Sequence, residues 1–178
     1  MSSSSNGQEY MINGAKYQFK SLLYLSFLSL ALFVGIINSP LKVFAADLTG
    51  TSRDDTLYGT MADDKLTGKD GKDSLFGNGG KDKIDGDTAD DFIQGDPGDD
   101  TLNGNDGNDM VLGGSGSDKI DGGSGDDYLE SSYVVGSTSV SDGKPDTLTC
   151  GSGVDTAFIN PSDGDTASAD CEIVVSTP

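Results

Sequence analysis

The sequence predicts an all-β solenoid, and three observations carry that prediction. Residues 50–130 fall into nine consecutive nine-residue segments without a gap; each segment keeps the same Gly, Asp and aliphatic positions; and the composition is extreme, with 26 Gly and 30 Asp+Glu against 11 Lys+Arg in 178 residues.

Position one of every segment is glycine: Gly50, Gly59, Gly68, Gly77, Gly86, Gly95, Gly104, Gly113 and Gly122. Position six is always aspartate: Asp55, Asp64, Asp73, Asp82, Asp91, Asp100, Asp109, Asp118 and Asp127. Position eight is always aliphatic: Leu57, Leu66, Leu75, Ile84, Ile93, Leu102, Val111, Ile120 and Leu129. A period of nine is too short for a helical repeat, and glycine at positions one and usually four suits the positive-φ backbone of tight turns. Positions seven to nine are left as a three-residue strand. Its middle side chain faces inward and its flanks, such as Lys65, Thr101 and Asn103, face out. One apolar residue in nine cannot close a core alone, so the segments must stack.

From Ala46 onward, 29 acidic residues stand against 8 basic ones, which disfavours nucleic acid as a partner and leaves a chain that repels itself. The absence of His removes Ser/His/Asp and Cys/His nucleophile systems and His-containing zinc sites. A carboxylate in every turn, beside glycine-rich backbone with open carbonyls, is instead a hard oxygen donor set of the kind Ca²⁺ takes. No stretch has the flanking helices or twelve-residue spacing of an EF-hand.

Segments such as Gly104 to Leu112 and Gly122 to Glu130 resemble the haemolysin-type, RTX nonapeptide G-G-x-G-x-D-x-U-x, a calcium-binding pattern. The resemblance implies a right-handed parallel β-roll with two nonapeptides per coil and Ca²⁺ held between repeats n and n+2. Asp55, Asp73, Asp91, Asp109 and Asp127 would then line one side, and Asp64, Asp82, Asp100 and Asp118 the other, giving at most about seven ions in the regular repeats. Arg53, Ala62 and Ala89 replace glycine at position four, so the first two turns are expected to bind most weakly and the run from Gly95 to Glu130 most strongly.

Residues 131–140 break the phase, and Tyr133-Val134-Val135 with Val140 reads as a calcium-free turn or cap. Segments beginning at Ser141 and Cys150 restore it in degenerate form, placing Asp146 and Asp155 at position six as further candidate ligands. The β-roll is thus expected over 46–158 and a C-terminal cap over 159–178. Cys150 and Cys171 are the two cysteines of the chain, and in an exported protein they are expected to form a disulfide.

Residues 1–45 read as a secretory leader. Lys16 and Lys20 precede an apolar run from Leu22 to Ile37, then Pro40 and the small-residue pattern Val43-Phe44-Ala45, with cleavage after Ala45. As a helix that run would span roughly 24 Å, short of the ~30 Å hydrocarbon core, with an uncleaved anchor as the alternative. Met11 is a second candidate start, and Glu172-Ile173-Val174-Val175 faintly resembles the C-terminal export signals of RTX proteins.

The expected product is a secreted, extracellular calcium-binding module whose folding depends on the metal, not an enzyme: the leader and repeats leave no room for a catalytic domain. The alternative is a calcium-dependent adhesin or a matrix component with a cell-surface or polymer partner. An ice-binding face would need a regular Thr column, which the mixed residues at position seven do not supply.

Overall fold

The structure is a computed structural model describing residues 8–12, 15–19, 45–132, 134–135, 138–139 and 141–176. Its body is a parallel β-roll of seven turns, built from two sheets that alternate along the chain. One sheet stacks β3 (Asp47–Thr49), β5 (Lys65–Asp70), β7 (Lys83–Thr88), β9 (Thr101–Asp106), β11 (Lys119–Ser124), β15 (Thr147–Ser152) and β17 (Thr166–Ala167). The other stacks β4 (Thr56–Tyr58), β6 (Ser74–Phe76), β8 (Phe92–Pro97), β10 (Met110–Ser115), β12 (Tyr128–Ser132), β16 (Thr156–Ile159) and β18 (Ile173–Ser176). Each nonapeptide therefore makes half a coil and pairs with the one two repeats on, as in Leu66↔Ile84 and Val111↔Leu129.

The aliphatic column lies inside, as its period requires. Leu57, Leu66, Leu75, Ile84, Ile93, Leu102, Val111, Ile120 and Leu129 are all buried, and Leu48, Leu148 and Ala157 extend the column at either end. Burying each Leu or Ile stabilises the stack by about 1.5–3 kcal/mol, but two facing files of single side chains make a narrow core. The remaining interior is occupied by the position-six aspartates.

Many strands are longer than three residues. Those from β7 to β11 run on through positions one to three of the next repeat. In the nine regular repeats the positive-φ residues consequently sit at positions two and four and not at position one: Lys69, Asn78, Asp87, Asp96, Asn105, Gly114 and Gly123 at position two, and Gly71, Gly80, Ala89, Gly107, Gly116 and Gly125 at position four. Ala89 keeps the turn despite its Cβ, at φ 80°. Arg53 and Ala62 are not among the positive-φ residues, so the first two turns close differently. Glycine at position one answers a different need, close approach: a methyl group on Gly104 would fall 2.5 Å from the Gly122 carbonyl oxygen of the next turn.

The interruption is an insertion inside one turn. Ser131, not Ser141, continues the position-one column, because its carbonyl oxygen lies against Gly113 as the glycine carbonyls do elsewhere. The extra residues carry the short antiparallel pair β13 (Val134–Val135) and β14 (Thr138–Ser139), and β11 then pairs with β15 and β12 with β16 as though nothing intervened. Residues 159–176, expected as a cap, form the last turn of the roll, and Cys150 is bonded to Cys171 there.

At the N-terminal end β1 (Gln8–Ile12) and β2 (Ala15–Phe19) form a hairpin that adds antiparallel to β3 through Tyr17↔Leu48. Both strands lie within the segment expected as leader, whereas the run Leu22–Ile37 is outside the described residues. No helix among the described residues is long and apolar enough to cross a membrane.

Candidate metal centre

From Asp64 onward the position-six aspartates are buried, and from Asp73 onward each is held by one oxygen. Asp73 Oδ1 accepts the backbone N–H of Asp55, Asp82 that of Asp64, Asp91 that of Asp73, and Asp100 that of Asp82; the series continues through Asp109, Asp118 and Asp127 at 2.7–2.9 Å. It then crosses the insertion: Asp146 Oδ1 accepts from Asp118 N–H at 2.7 Å and Asp155 Oδ1 from Asp127 N–H at 2.8 Å. Two ladders of carboxylates thus run through the roll, one beside each sheet.

The second oxygen is treated differently. Oδ2 of Asp73, Asp82, Asp91, Asp100, Asp109, Asp118, Asp127, Asp146 and Asp155 is buried with no hydrogen-bond partner. An unpartnered buried carboxylate oxygen costs several times what an ordinary hydrogen bond returns, so a column of nine requires a neutralising group. The surroundings say which kind. A methyl group on Gly104 would fall 2.3 Å from Asp109 Oδ2 and 2.5 Å from the Gly122 carbonyl oxygen; one on Gly86 would fall 2.4 Å from Asp91 Oδ2 and 2.8 Å from the Gly104 carbonyl. A carboxylate oxygen and a carbonyl from the next turn converge where glycine leaves room. Among the described residues no three His, Cys, Asp or Glu side chains form a cluster. The donor set is therefore one carboxylate per turn supplemented by backbone oxygen, which suits a hard cation and offers nothing to a soft one.

Burial raises these carboxyls against the backbone N–H bond that lowers them, and neighbouring carboxylates add to the rise. Asp82, Asp91, Asp118 and Asp127 are pushed up to about 7, Asp100 and Asp109 to about 6, and Asp146 to about 8. Asp73 and Asp155 shift upward for the same leading reason. Without a cation the column resists full ionisation at neutral pH.

Asp55 and Asp64 share the column but not its unsatisfied oxygen. Thr51, at position two, donates to Asp55 Oδ2 from both its backbone N–H (2.6 Å) and its Oγ1 (2.8 Å), and Thr60 N–H donates to Asp64 Oδ2. At the other end, residues outside the nonapeptide phase complete the ladders: Asp165 Oδ1 accepts from Asp146 N–H at 3.0 Å and Glu172 Oε2 from Asp155 N–H at 2.9 Å. Asp165 Oδ2 is satisfied by Ser131 Oγ and Asn160 N–H. Sequence reading missed Asp165 and Glu172, whose spacings of 19 and 17 residues from the preceding rung fit no repeat. The one local hint in the sequence is the tripeptide Asp170-Cys171-Glu172, a carboxylate on either side of a cysteine.

A second, exposed ladder runs through position five in the opposite sense. Here the backbone N–H of the later repeat donates to the side chain of the earlier one, as Lys72 does to Asp54 and Asn108 to Asp90. Lys72 also pairs with Asp90, and Lys81 with Asp99, so cations separate carboxylates that would otherwise be stacked.

The fold and this column define a class: a parallel β-solenoid carrying buried carboxylate ladders suited to a hard cation. The chain matches the RTX calcium-binding nonapeptide repeat (four copies) at residues 49–84, 58–93, 76–111, 85–120 and 103–131. Residues 49–131 are RTX calcium-binding nonapeptide repeats, and the roll they build is of the calcium-binding type. No curated protein matches the chain.

Proposed function

We propose that this chain is a secreted, non-catalytic calcium-binding module whose folding is coupled to Ca²⁺ through Asp73, Asp82, Asp91, Asp100, Asp109, Asp118, Asp127, Asp146 and Asp155. The observation that carries the reading is the column of nine buried Oδ2 atoms without a partner. Calcium supplies positive charge between turns, so its binding free energy becomes folding free energy, as it does wherever a site is absent from the unfolded chain. Extracellular calcium modules bind at about 10⁻⁴–10⁻³ M, which makes export into calcium-rich surroundings the natural folding signal. Asp55 and Asp64, already satisfied by threonines, contribute least. Circular dichroism titrated from chelator to millimolar calcium, with metal analysis of the dialysed protein, tests this. A spectrum indifferent to calcium refutes the coupling.

The outer face of one sheet favours a second, additional role as a calcium-dependent surface or matrix-binding protein. Tyr58 stacks on Phe76 at 4.9 Å and Phe76 meets Phe92 at 5.6 Å, with Met110 exposed one rung beyond Phe92. At position seven, where this sheet has Phe92 and Met110, the other sheet presents Lys65, Lys83, Thr101 and Lys119. Retention on cell-surface polymer in calcium, lost on Phe92→Ser with the circular dichroism spectrum unchanged, would support that role; retention by the variant would remove it.

A further inference from the structure

The repeat match ends at residue 131, but the carboxylate ladder does not, and its last two rungs on the β12 side meet the disulfide. Position one there is Cys150. A methyl group on Gly122 would fall 2.4 Å from Asp127 Oδ2 and 2.7 Å from the Cys150 carbonyl oxygen, the same convergence found at Gly104 with a cystine residue in place of glycine. Asp127 Oδ2 is buried and unpartnered, and Asp127 as a residue is 3% exposed. Asp155, which holds the Asp127 N–H through Oδ1, is itself held at its N–H by Glu172. Glu172 follows Cys171 directly. The disulfide therefore ties together the residue that supplies the carbonyl and the segment that supplies the final carboxylate.

We infer that Asp127 Oδ2 and the Cys150 carbonyl form a cation site coupled to the Cys150–Cys171 disulfide, so that Ca²⁺ and a dithiol reductant oppose one another at this end of the roll. The inference rests on the calcium reading above. The chemistry is a two-electron reduction: a dithiol delivers two electrons and two protons to the S–S bond, which becomes the Cys150 and Cys171 thiols, and the dithiol leaves as its own disulfide. Reduction frees Cys171 and Glu172 from Cys150, loosening the carbonyl and the rung beneath it. Coupling is reciprocal, so whatever affinity calcium loses on reduction, the disulfide gains in resistance when calcium is bound.

The test equilibrates the full chain in dithiothreitol redox buffers and counts free thiols with and without saturating calcium. Wild type and Asp54→Asn, which removes the same charge from the exposed position-five ladder, are expected to need a roughly tenfold higher ratio of reduced to oxidised dithiol for half reduction when calcium is present, within the usual range of such couplings. Asp127→Asn is expected to show less than about a threefold rise in that ratio at equal calcium. A second measurement needs no reductant: the double variant C150A/C171A should lose one bound calcium per chain, or bind its weakest ion with lower affinity, while the remaining ions are unchanged. Equal protection of Asp127→Asn and wild type, or an unaltered calcium isotherm in the double variant, overturns the coupling and leaves the calcium reading standing. A wild-type spectrum that ignores calcium removes both.

Discussion

The first two repeats and the seven regular repeats that follow share one sequence formula, yet their aspartates do different work. In the first two, threonine at position two turns back and satisfies Oδ2 of the same repeat, and neither position two nor position four adopts positive φ. From Asp73 onward position two passes into the left-handed region, its N–H is carried away from the carboxylate, and Oδ2 is left bare in the interior. The same position-six aspartate thus has its Oδ2 hydrogen-bonded in one place and left bare in another. The residue that decides between them lies four positions upstream.

The largest effect that could break this comparison is ionisation of the central column. Its carboxyls sit at about 6 to 8 in the folded, metal-free roll and near 4 in an unfolded chain, so the folded state holds protons that the unfolded state releases. The resulting stability is fully present below about pH 4 and is lost as pH rises through 6 to 8. In chelator, circular dichroism should therefore show more roll at pH 4.5 than at pH 8. In calcium the dependence should reverse, the calcium midpoint rising as pH falls below 6 because protons compete for the same oxygens.

Next in size is crowding of the convergence point. Gly104→Ala places a methyl against both Asp109 Oδ2 and the Gly122 carbonyl and should cost at least about 1–3 kcal/mol in calcium-saturated chemical denaturation. Gly143→Ala, with nothing within 4 Å but φ at +75°, should cost only about 1 kcal/mol. Equal costs would mean that close approach is not what fixes glycine at position one.

A smaller and sharper contrast is between carboxylates. Asp109→Asn should lower the calcium bound per chain, whereas Asp55→Asn should leave the stoichiometry unchanged and alter only thermal stability, both read by isothermal titration and melting in calcium. The smallest expected effect is Thr51→Val, which removes the Oγ1 bond to Asp55 but keeps the N–H bond. It should cost about 1 kcal/mol without changing bound calcium.

Much of the roll could be read from the chain. Perfect columns at positions one, six and eight predicted stacked half-coils, a buried aliphatic file and carboxylates in register, and the pairing of each repeat with the one two further on follows the family resemblance. The positive-φ site at position two had a partial signal in Asn78, Asp87, Asp96 and Asn105, residue types that tolerate that region, but Lys69 and the Ala89 of position four carry none. Ser131 as a position-one residue was hidden by the insertion, which displaces the next rung from 18 to 28 residues away. Asp165 and Glu172 were hidden because a terminal rung has no repeat to be in phase with.

The sequence by itself determined the period, the inward and outward sides of every half-coil and the oxygen character of the centre, because these depend on residue type at a fixed local spacing. Only the tertiary structure decided which carboxylate oxygens are satisfied and which are bare, and that the ladder outlasts the repeats and ends on a disulfide. The partners that settle those questions lie one full coil or more along the chain, where local pattern has no reach.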